Sequence, residues 1–214
     1  MAKAGFSSPG LYNLLKDAKM YWPDRFDSAQ KAAFRAFNVE YVPDLKALHI
    51  AGITRQGSGV RRISGNSIGF LTPATDRYGQ FRNPALKENH SHLVDFYIYM
   101  PEEAEEVGAH DRLLSNQILI TNRDSGKSYG LFKPDPRTAS VTVRCNCEDF
   151  RFTFMYSLNL IDGLYGQLIP YRKVPGSTRP RRNKHNRPGL CKHILALIKI
   201  AMDSNLFVKK VRLW

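Results

Sequence analysis

The apolar positions of the first 40 residues recur at intervals of three and four, which predicts two amphipathic helices. The first follows the start signal Ser7, Ser8 and Pro9 and is expected to stop at Pro23. The second is expected to begin at Asp27 or Ser28 and to run through AQKAAFRAF. The apolar positions expected to be buried are Leu11, Leu14, Leu15, Ala18, Trp22, Ala32, Ala33, Phe34 and Phe37. We interpret residues 1–40 as a helical N-terminal arm.

The pattern changes in the next segment, where short runs of β-branched and aromatic residues are separated by Gly, Pro, Asn and Asp. The predicted strands are ALHIAGI, SIGFLT, LVDFYIYM, QILITN, SYGLF and SVTVRCN. The linking sequence TNRDSGKSYG predicts a hairpin loop through Asp124, Ser125 and Gly126. Residues 41–140 are therefore expected to form a β-rich core around a mostly antiparallel sheet.

Residues 141–214 mix these patterns. The run EDFRFTFMYSLNLI predicts a helix with Phe150, Phe154, Leu158 and Ile161 on one side, and CKHILALIKIAMDS predicts a second, apolar helix. A long loop rich in Gly, Pro and Arg is expected between them, and NLFVKKVRLW is expected to form a final strand. The predicted fold class is α+β.

Composition agrees with a folded protein, because 43% of the 214 residues are hydrophobic and 24% are charged. No apolar run approaches the roughly 20 residues that cross a bilayer, and the start MAKAGFSSPG lacks the apolar core of a signal peptide. We therefore expect a protein made in a cytoplasm, with no membrane partner.

Cysteine and histidine form two close pairs that suggest a metal site, with CxC at Cys145 and Cys147 and CxH at Cys191 and His193. Residues two apart in a strand point to one face, so the two cysteines of the first pair can face one ion. Three thiolates and one imidazole suit a closed, tetrahedral structural Zn²⁺ site. Two alternatives are three cysteines that serve as small core residues and a strained disulfide between Cys145 and Cys147.

The sequences CNCEDF and CKHILAL resemble the two halves of a SWIM-type zinc finger. The resemblance covers residues 141–202 and implies a zinc-bound ββα unit, with the first two ligands on a β-hairpin and the last two at a helix start. The spacer between Cys147 and Cys191 is long for that family. It is interpreted as an insertion that contains a basic loop, residues 171–188.

A second resemblance concerns the runs CNCEDFRFTFMY, PYRK, RPRRNKHN and RPGLCKHILAL. They look like segments of small virion proteins of tailed bacteriophages. This similarity implies a structural component of a phage head, neck or tail, assembled in the host cytoplasm, whose partners are other virion proteins or copies of itself.

Positive charge is concentrated near the C-terminus. Residues 151–214 contain 13 Lys and Arg and two acidic residues, against 32 and 19 in the whole chain, whose net charge is +13. The basic loop holds seven candidate contact residues, namely Arg172, Lys173, Arg179, Arg181, Arg182, Lys184 and Arg187. They are expected to contact carboxylates of neighbouring subunits; the alternatives are nonspecific binding to nucleic-acid phosphates and a solvated charged loop.

Other motifs are weaker. His90 and His92 could ligate a second metal, although two histidines alone are more often surface residues. A set of four glutamates could complement the basic loop of a neighbouring copy: Glu102, Glu103, Glu105 and Glu106. No paired carboxylates, Ser/His/Asp signature or nucleophile elbow emerges, so neither an enzyme nor a small-molecule substrate is expected.

Overall fold

In the computed structural model, the described part of the chain has the predicted α+β fold with antiparallel sheets. The described residues are 8–30, 32, 34–54, 74–75, 81–82, 92–100, 104–108, 113–169, 183–209 and 211. Their helices are α1 (Leu11–Tyr21), α2 (Pro23–Gln30), α3 (Met155–Leu160) and α4 (Lys192–Asp203). Their strands are β1 (Phe34–Val42), β2 (Ala47–Thr54), β3 (Ala74–Thr75), β4 (Phe81–Arg82), β5 (Leu93–Tyr99), β6 (Glu105–Glu106), β7 (Gln117–Thr121), β8 (Ser128–Phe132) and β9 (Val141–Cys145). The predicted strand SIGFLT lies outside the described residues.

The first helix is confirmed, and its apolar stripe is buried in the main core. The second helix was predicted in the wrong place. It begins at Pro23, where proline suits a first helical turn, and ends at Gln30, whereas Phe34–Val42 forms β1. β1 pairs with β2 along most of its length, and this nonlocal hydrogen bonding outweighs the short helical periodicity of AQKAAFRAF.

Four antiparallel strands form the main sheet, in the order β1-β2-β5-β9. Side chains alternate across it, and one face, here called the inner face, carries mostly apolar residues. α4 contacts this sheet through β2, β5 and β9 and also packs against α2. The buried inner-face residues are Leu48, Ile50, Val94, Phe96, Ile98, Val141, Val143 and Cys145.

A smaller sheet has the order β6-β8-β7. The predicted hairpin joins β7 to β8, and Gly126 at its turn has a left-handed backbone with φ of 68°, which glycine adopts without strain. Asn122 connects the two sheets: its side-chain amide donates to the Tyr41 carbonyl over 2.8 Å and accepts from the Tyr41 N–H over 3.1 Å.

The helix predicted around Phe150 is confirmed as a π-helical turn, Phe150–Phe154, that continues into α3. The sequence NLFVKKVRLW, residues 205–214, was predicted to form a final strand. Its described residues are 205–209 and 211, and no strand is observed in them. After α4 the chain turns at Asn205, where φ is 60°, and places Leu206 and Phe207 in the core. Adjacent side chains of a strand point to opposite faces, so the burial of both Leu206 and Phe207 in one core does not fit a strand with one exposed face.

One hydrophobic core contains residues from all three predicted segments, 1–40, 41–140 and 141–214. The N-terminal helices contribute Leu11, Leu14 and Phe26, each at most 1% exposed. The segment described as an arm from sequence is thus packed into the same core as the metal-ligand candidates.

Candidate metal centre

The first two candidate ligands lie at the end of a central element of the fold. Cys145 is the last residue of β9 and pairs with Val94 on β5. The Asn146 N–H donates to the Leu93 carbonyl over 3.2 Å, and the Asn146 side-chain oxygen accepts from the Leu93 N–H over 2.9 Å. Cys147 begins the turn that follows. Its N–H donates to Cys145 Sγ over 3.5 Å, so the local backbone already turns around the first sulfur.

The turn also supports the second sulfur. The Phe150 N–H donates to Cys147 Sγ over 3.3 Å, and the Arg151 N–H donates to the Cys147 carbonyl over 3.0 Å. Backbone N–H groups that point at cysteine sulfur stabilise its thiolate form, which is the form that binds metals.

The other two candidates come from the start of α4. Cys191 is the residue that precedes the helix, with an extended backbone, and the Leu195 N–H donates to its carbonyl over 3.1 Å. His193 lies in the first helical turn. The positive end of the helix dipole therefore lies beside the Cys191 sulfur and favours its negative charge.

The four side chains meet in one buried cluster. Cys145, Cys147 and Cys191 are at most 3% exposed and His193 is 8% exposed. All four ligand atoms lie within 4.8 Å of one another, and Cys145 Sγ is 3.9 Å from His193 Nδ1. A tetrahedral Zn²⁺ with ordinary Zn–S and Zn–N bonds would separate its ligand atoms by about 3.5–3.8 Å. The cluster is therefore close enough to hold one metal ion, and its donor set is compatible with zinc.

All three cysteines are free thiols, so the alternative disulfide between Cys145 and Cys147 is absent. Burial raises the pKa of both Cys145 and Cys191, whereas hydrogen bonds from those two cysteines lower the pKa of Cys147. Removal of all three protons without a cation would place three negative charges in a space closed to water, at a high cost in free energy. A Zn²⁺ ion bound directly by the thiolates would offset two of those three charges, and thiolate is one of its preferred ligands.

His92 lies directly beside the fourth candidate ligand. Its ring centroid is 4.5 Å from that of His193, and burial, followed by the neighbouring His193, lowers its pKa. Its backbone is fixed by a hydrogen bond to Thr54 Oγ1 over 2.8 Å. Within the described part of the chain, the four residues of the CxC and CxH pairs form the single group that could hold a metal ion. His90 lies outside the described residues.

The strand that carries Cys145 does not belong to a local hairpin. β9 pairs with β5, and the preceding strand β8 belongs to the smaller sheet. The hairpin implied by the SWIM resemblance is therefore not observed in residues 113–169: one edge of β9 pairs with β5, and the other meets Leu164 in a single parallel bridge. The helix-start position of Cys191 and His193 does agree with the resemblance.

Only the C-terminal end of the basic loop is described. Lys184 and Arg187 are exposed, and the Arg187 guanidinium lies 4.4 Å from the centroid of the Tyr21 ring. The other five candidate contact residues, Arg172, Lys173, Arg179, Arg181 and Arg182, lie outside the described residues. Of the four glutamates, Glu105 and Glu106 are exposed on β6, and Glu106 pairs with Lys127 over 2.8 Å.

A neutral residue that the sequence reading overlooked anchors this segment. Asn183 is 7% exposed, and its amide nitrogen donates to the Thr153 carbonyl over 3.0 Å and to the Arg187 carbonyl over 2.7 Å. Its oxygen accepts from the Arg187 N–H over 2.9 Å. The only sequence signal was an asparagine in an Arg-rich run, which is also ordinary loop composition.

Comparisons with protein-family models, curated proteins and solved structures find no match to this chain. The resemblances to the SWIM-type finger and to phage virion proteins therefore stay predictions. Within the described residues, none of the helices is long and apolar enough to cross a membrane.

Proposed function

We propose that Cys145, Cys147, Cys191 and His193 bind one structural zinc ion. The observation that carries this proposal is the convergence of four buried donor atoms within 4.8 Å. Three thiolates and an imidazole complete a tetrahedral shell, which leaves no position for a substrate or a reactive water. The ion would join the end of β9 to the start of α4 and supply charge compensation and a mechanical crosslink.

This crosslink would close residues 148–190 into a loop held at both ends. Closing a loop in the native state limits the conformations that its residues can reach. Both ends of the chain segment that contains the basic loop would then be held in fixed positions by the metal site. The order of the ligands along the chain suits a SWIM-like finger with a long insertion, and that assignment is part of the proposal.

The zinc assignment is tested by elemental analysis of protein purified without chelator. Wild-type protein is expected to carry one zinc per chain, and Cys191→Ser is expected to lose it because a ligand and its charge are removed. His92→Gln is the matched control: it alters the neighbour of His193 and should retain the metal. Wild-type protein that is folded and free of stoichiometric zinc would contradict the proposal.

We further propose that the protein is a zinc-stabilised structural component of a phage virion. Its neighbours would be other virion proteins or copies of the same chain. The exposed Lys184 and Arg187 and the concentration of positive charge in residues 151–214 support contact with acidic groups on a neighbour. Arginine favours such interfaces because its planar guanidinium pairs with carboxylates in two hydrogen bonds.

The same charge favours a second candidate function, nonspecific binding to nucleic acid. The double variant Lys184→Glu and Arg187→Glu separates the two. If the basic loop contacts neighbouring virion proteins, mass spectrometry of purified particles should show less of the variant than of the wild-type protein. Wild-type protein should then not bind unrelated duplex DNA at low salt. Duplex binding that weakens steeply as salt rises, and weakens further in the variant, would support the nucleic-acid function instead. The double variant Arg123→Glu and Lys127→Glu, at two exposed positions of the hairpin that joins β7 to β8, is the control of equal charge change.

A further inference from the structure

The outer face of the main sheet, opposite α4, holds a histidine between two carboxylates. His49 Nδ1 lies 3.2 Å from Glu40 Oε1, and His49 Nε2 lies 3.1 Å from Asp95 Oδ1. Strand register produces this arrangement: Glu40 is directly opposite His49, and Asp95 is one diagonal step away on β5. His49 is 3% exposed, although it lies on the face opposite the hydrophobic core.

The chemistry of the three groups defines the protonation of the ring. An ionised carboxylate only accepts hydrogen bonds, and a neutral imidazole has one donor nitrogen and one acceptor nitrogen. A ring that meets a carboxylate at each nitrogen can satisfy both contacts only as the imidazolium cation. With the proton removed, one ring nitrogen would face a carboxylate oxygen with no hydrogen between them.

The surrounding groups favour the cation. The Tyr97 ring stacks on His49 at 4.1 Å and 5°, and Tyr165 stacks on Tyr97 at 3.9 Å. A tyrosine ring face attracts a cation. Burial, followed by hydrogen bonding to Tyr165, raises the pKa of Tyr97, so this neighbour stays neutral.

A further charged neighbour is Arg144 on β9, which pairs in register with Asp95 and interacts with its charge. Arg144 also donates to the carbonyls of Tyr165 and Gln167 over 2.8 and 3.0 Å. The contacts above place Glu40, Asp95, Tyr97, Arg144 and Tyr165 in one group around His49. Two carboxylates and two cations balance when His49 is protonated, and the cluster becomes net negative when it is not.

We propose that Glu40, His49 and Asp95 form a pH-sensitive latch that ties the edge strand β1 to the centre of the main sheet. The latch is closed when the His49 ring carries both protons and opens when one is lost. This inference is independent of the zinc site and adds a property that the proposed structural role does not require.

The direction of the pH effect follows from the contacts. Burial lowers the pKa of His49, but hydrogen bonds to Asp95 and Glu40 outweigh it, and the pKa is raised above the ordinary 6.5. A group whose folded-state pKa is raised contributes its full stabilisation below the unfolded-state value. That stabilisation is lost as pH rises through the folded-state value.

The test is urea unfolding of the zinc-loaded full chain between pH 5.5 and 9. Relative to His49→Gln, which keeps a polar side chain but cannot titrate, the folding equilibrium constant of wild-type protein should fall as pH rises above about 6.5, by up to tenfold per pH unit. The exposed His185→Gln is the matched control and should keep the wild-type profile. Parallel profiles for wild-type protein and His49→Gln would overturn the proposal.

A second measurement covers the case in which His49→Gln does not fold. Nitrogen-15 spectra of the wild-type imidazole should show both His49 nitrogens protonated at pH 6.5. After correction for the intrinsic rise of amide exchange with pH, the protection of the β1 amides should fall as this signal titrates, while the protection of the β7 and β8 amides stays constant. A His49 ring that is neutral throughout the range, or β1 amides indifferent to its titration, would refute the latch.

Discussion

The two faces of the main sheet each hold a cluster of polar side chains, and the two clusters differ in how their charges are compensated. On the outer face, the His49 cluster joins two carboxylates to His49 and Arg144, so its charges balance within the protein when His49 is protonated. On the inner face, Cys145, Cys147, Cys191 and His193 bring together groups that donate electrons, without a carboxylate–cation pair among them. The difference teaches that the donor set, more than burial, distinguishes a metal site from an internal ion-pair network.

Metal removal should produce the largest contrast between the two clusters. We expect chelator to lower the free energy of unfolding of zinc-loaded wild-type protein by on the order of 5 kcal/mol, because binding energy at a structural zinc site is folding energy. The measurement is urea unfolding with and without chelator. His49→Gln should lose the same amount on chelation, since its substitution lies on the other face.

Cys191→Ser provides the internal control for that experiment. A variant that has already lost its metal should have the same unfolding midpoint with and without chelator. If chelator destabilised Cys191→Ser as strongly as wild-type protein, the effect would come from elsewhere in the chain and the comparison between the faces would fail.

Asn183 extends the comparison to a buried polar group with no charge. Asn183→Ala removes the donors to the Thr153 and Arg187 carbonyls, and we expect a loss of about 1–3 kcal/mol in the free energy of unfolding, the usual cost of leaving buried partners unpaired. Asn183→Asp should keep the acceptor for the Arg187 N–H while losing both donated bonds. Urea unfolding measures both variants.

Zinc content makes the Asn183 experiment specific. Asn183 belongs to a separate contact between the basic segment and the π-helical turn, so both variants should retain one zinc per chain. Loss of zinc in Asn183→Ala would show that the two attachments of residues 148–190 are not independent.

Local signals account for the parts of the fold that could be predicted. The stripe of α1, the apolar run of α4 and the turn chemistry at Gly126 each depend on residues within one or two turns of one another, and each element is observed. The second helix was misplaced because AQKAAFRAF satisfies a helical period locally, whereas pairing with β2 makes Phe34–Val42 a strand. The final strand is not observed in the described residues 205–209 because Leu206 and Phe207 enter the core together.

The sequence by itself determined the identity of the candidate metal ligands, since CxC and CxH place chemically matched side chains in two tight pairs that local backbone geometry can orient. Only the tertiary structure decided that these pairs meet in one buried space, that β9 pairs with β5, and that Asn183 fastens the basic segment. It alone also revealed the His49 cluster. Glu40 and Asp95 are distant from each other along the chain. They contact one imidazole because the register of β1 and β5 against β2 places both carboxylates next to His49 on the same face of the sheet.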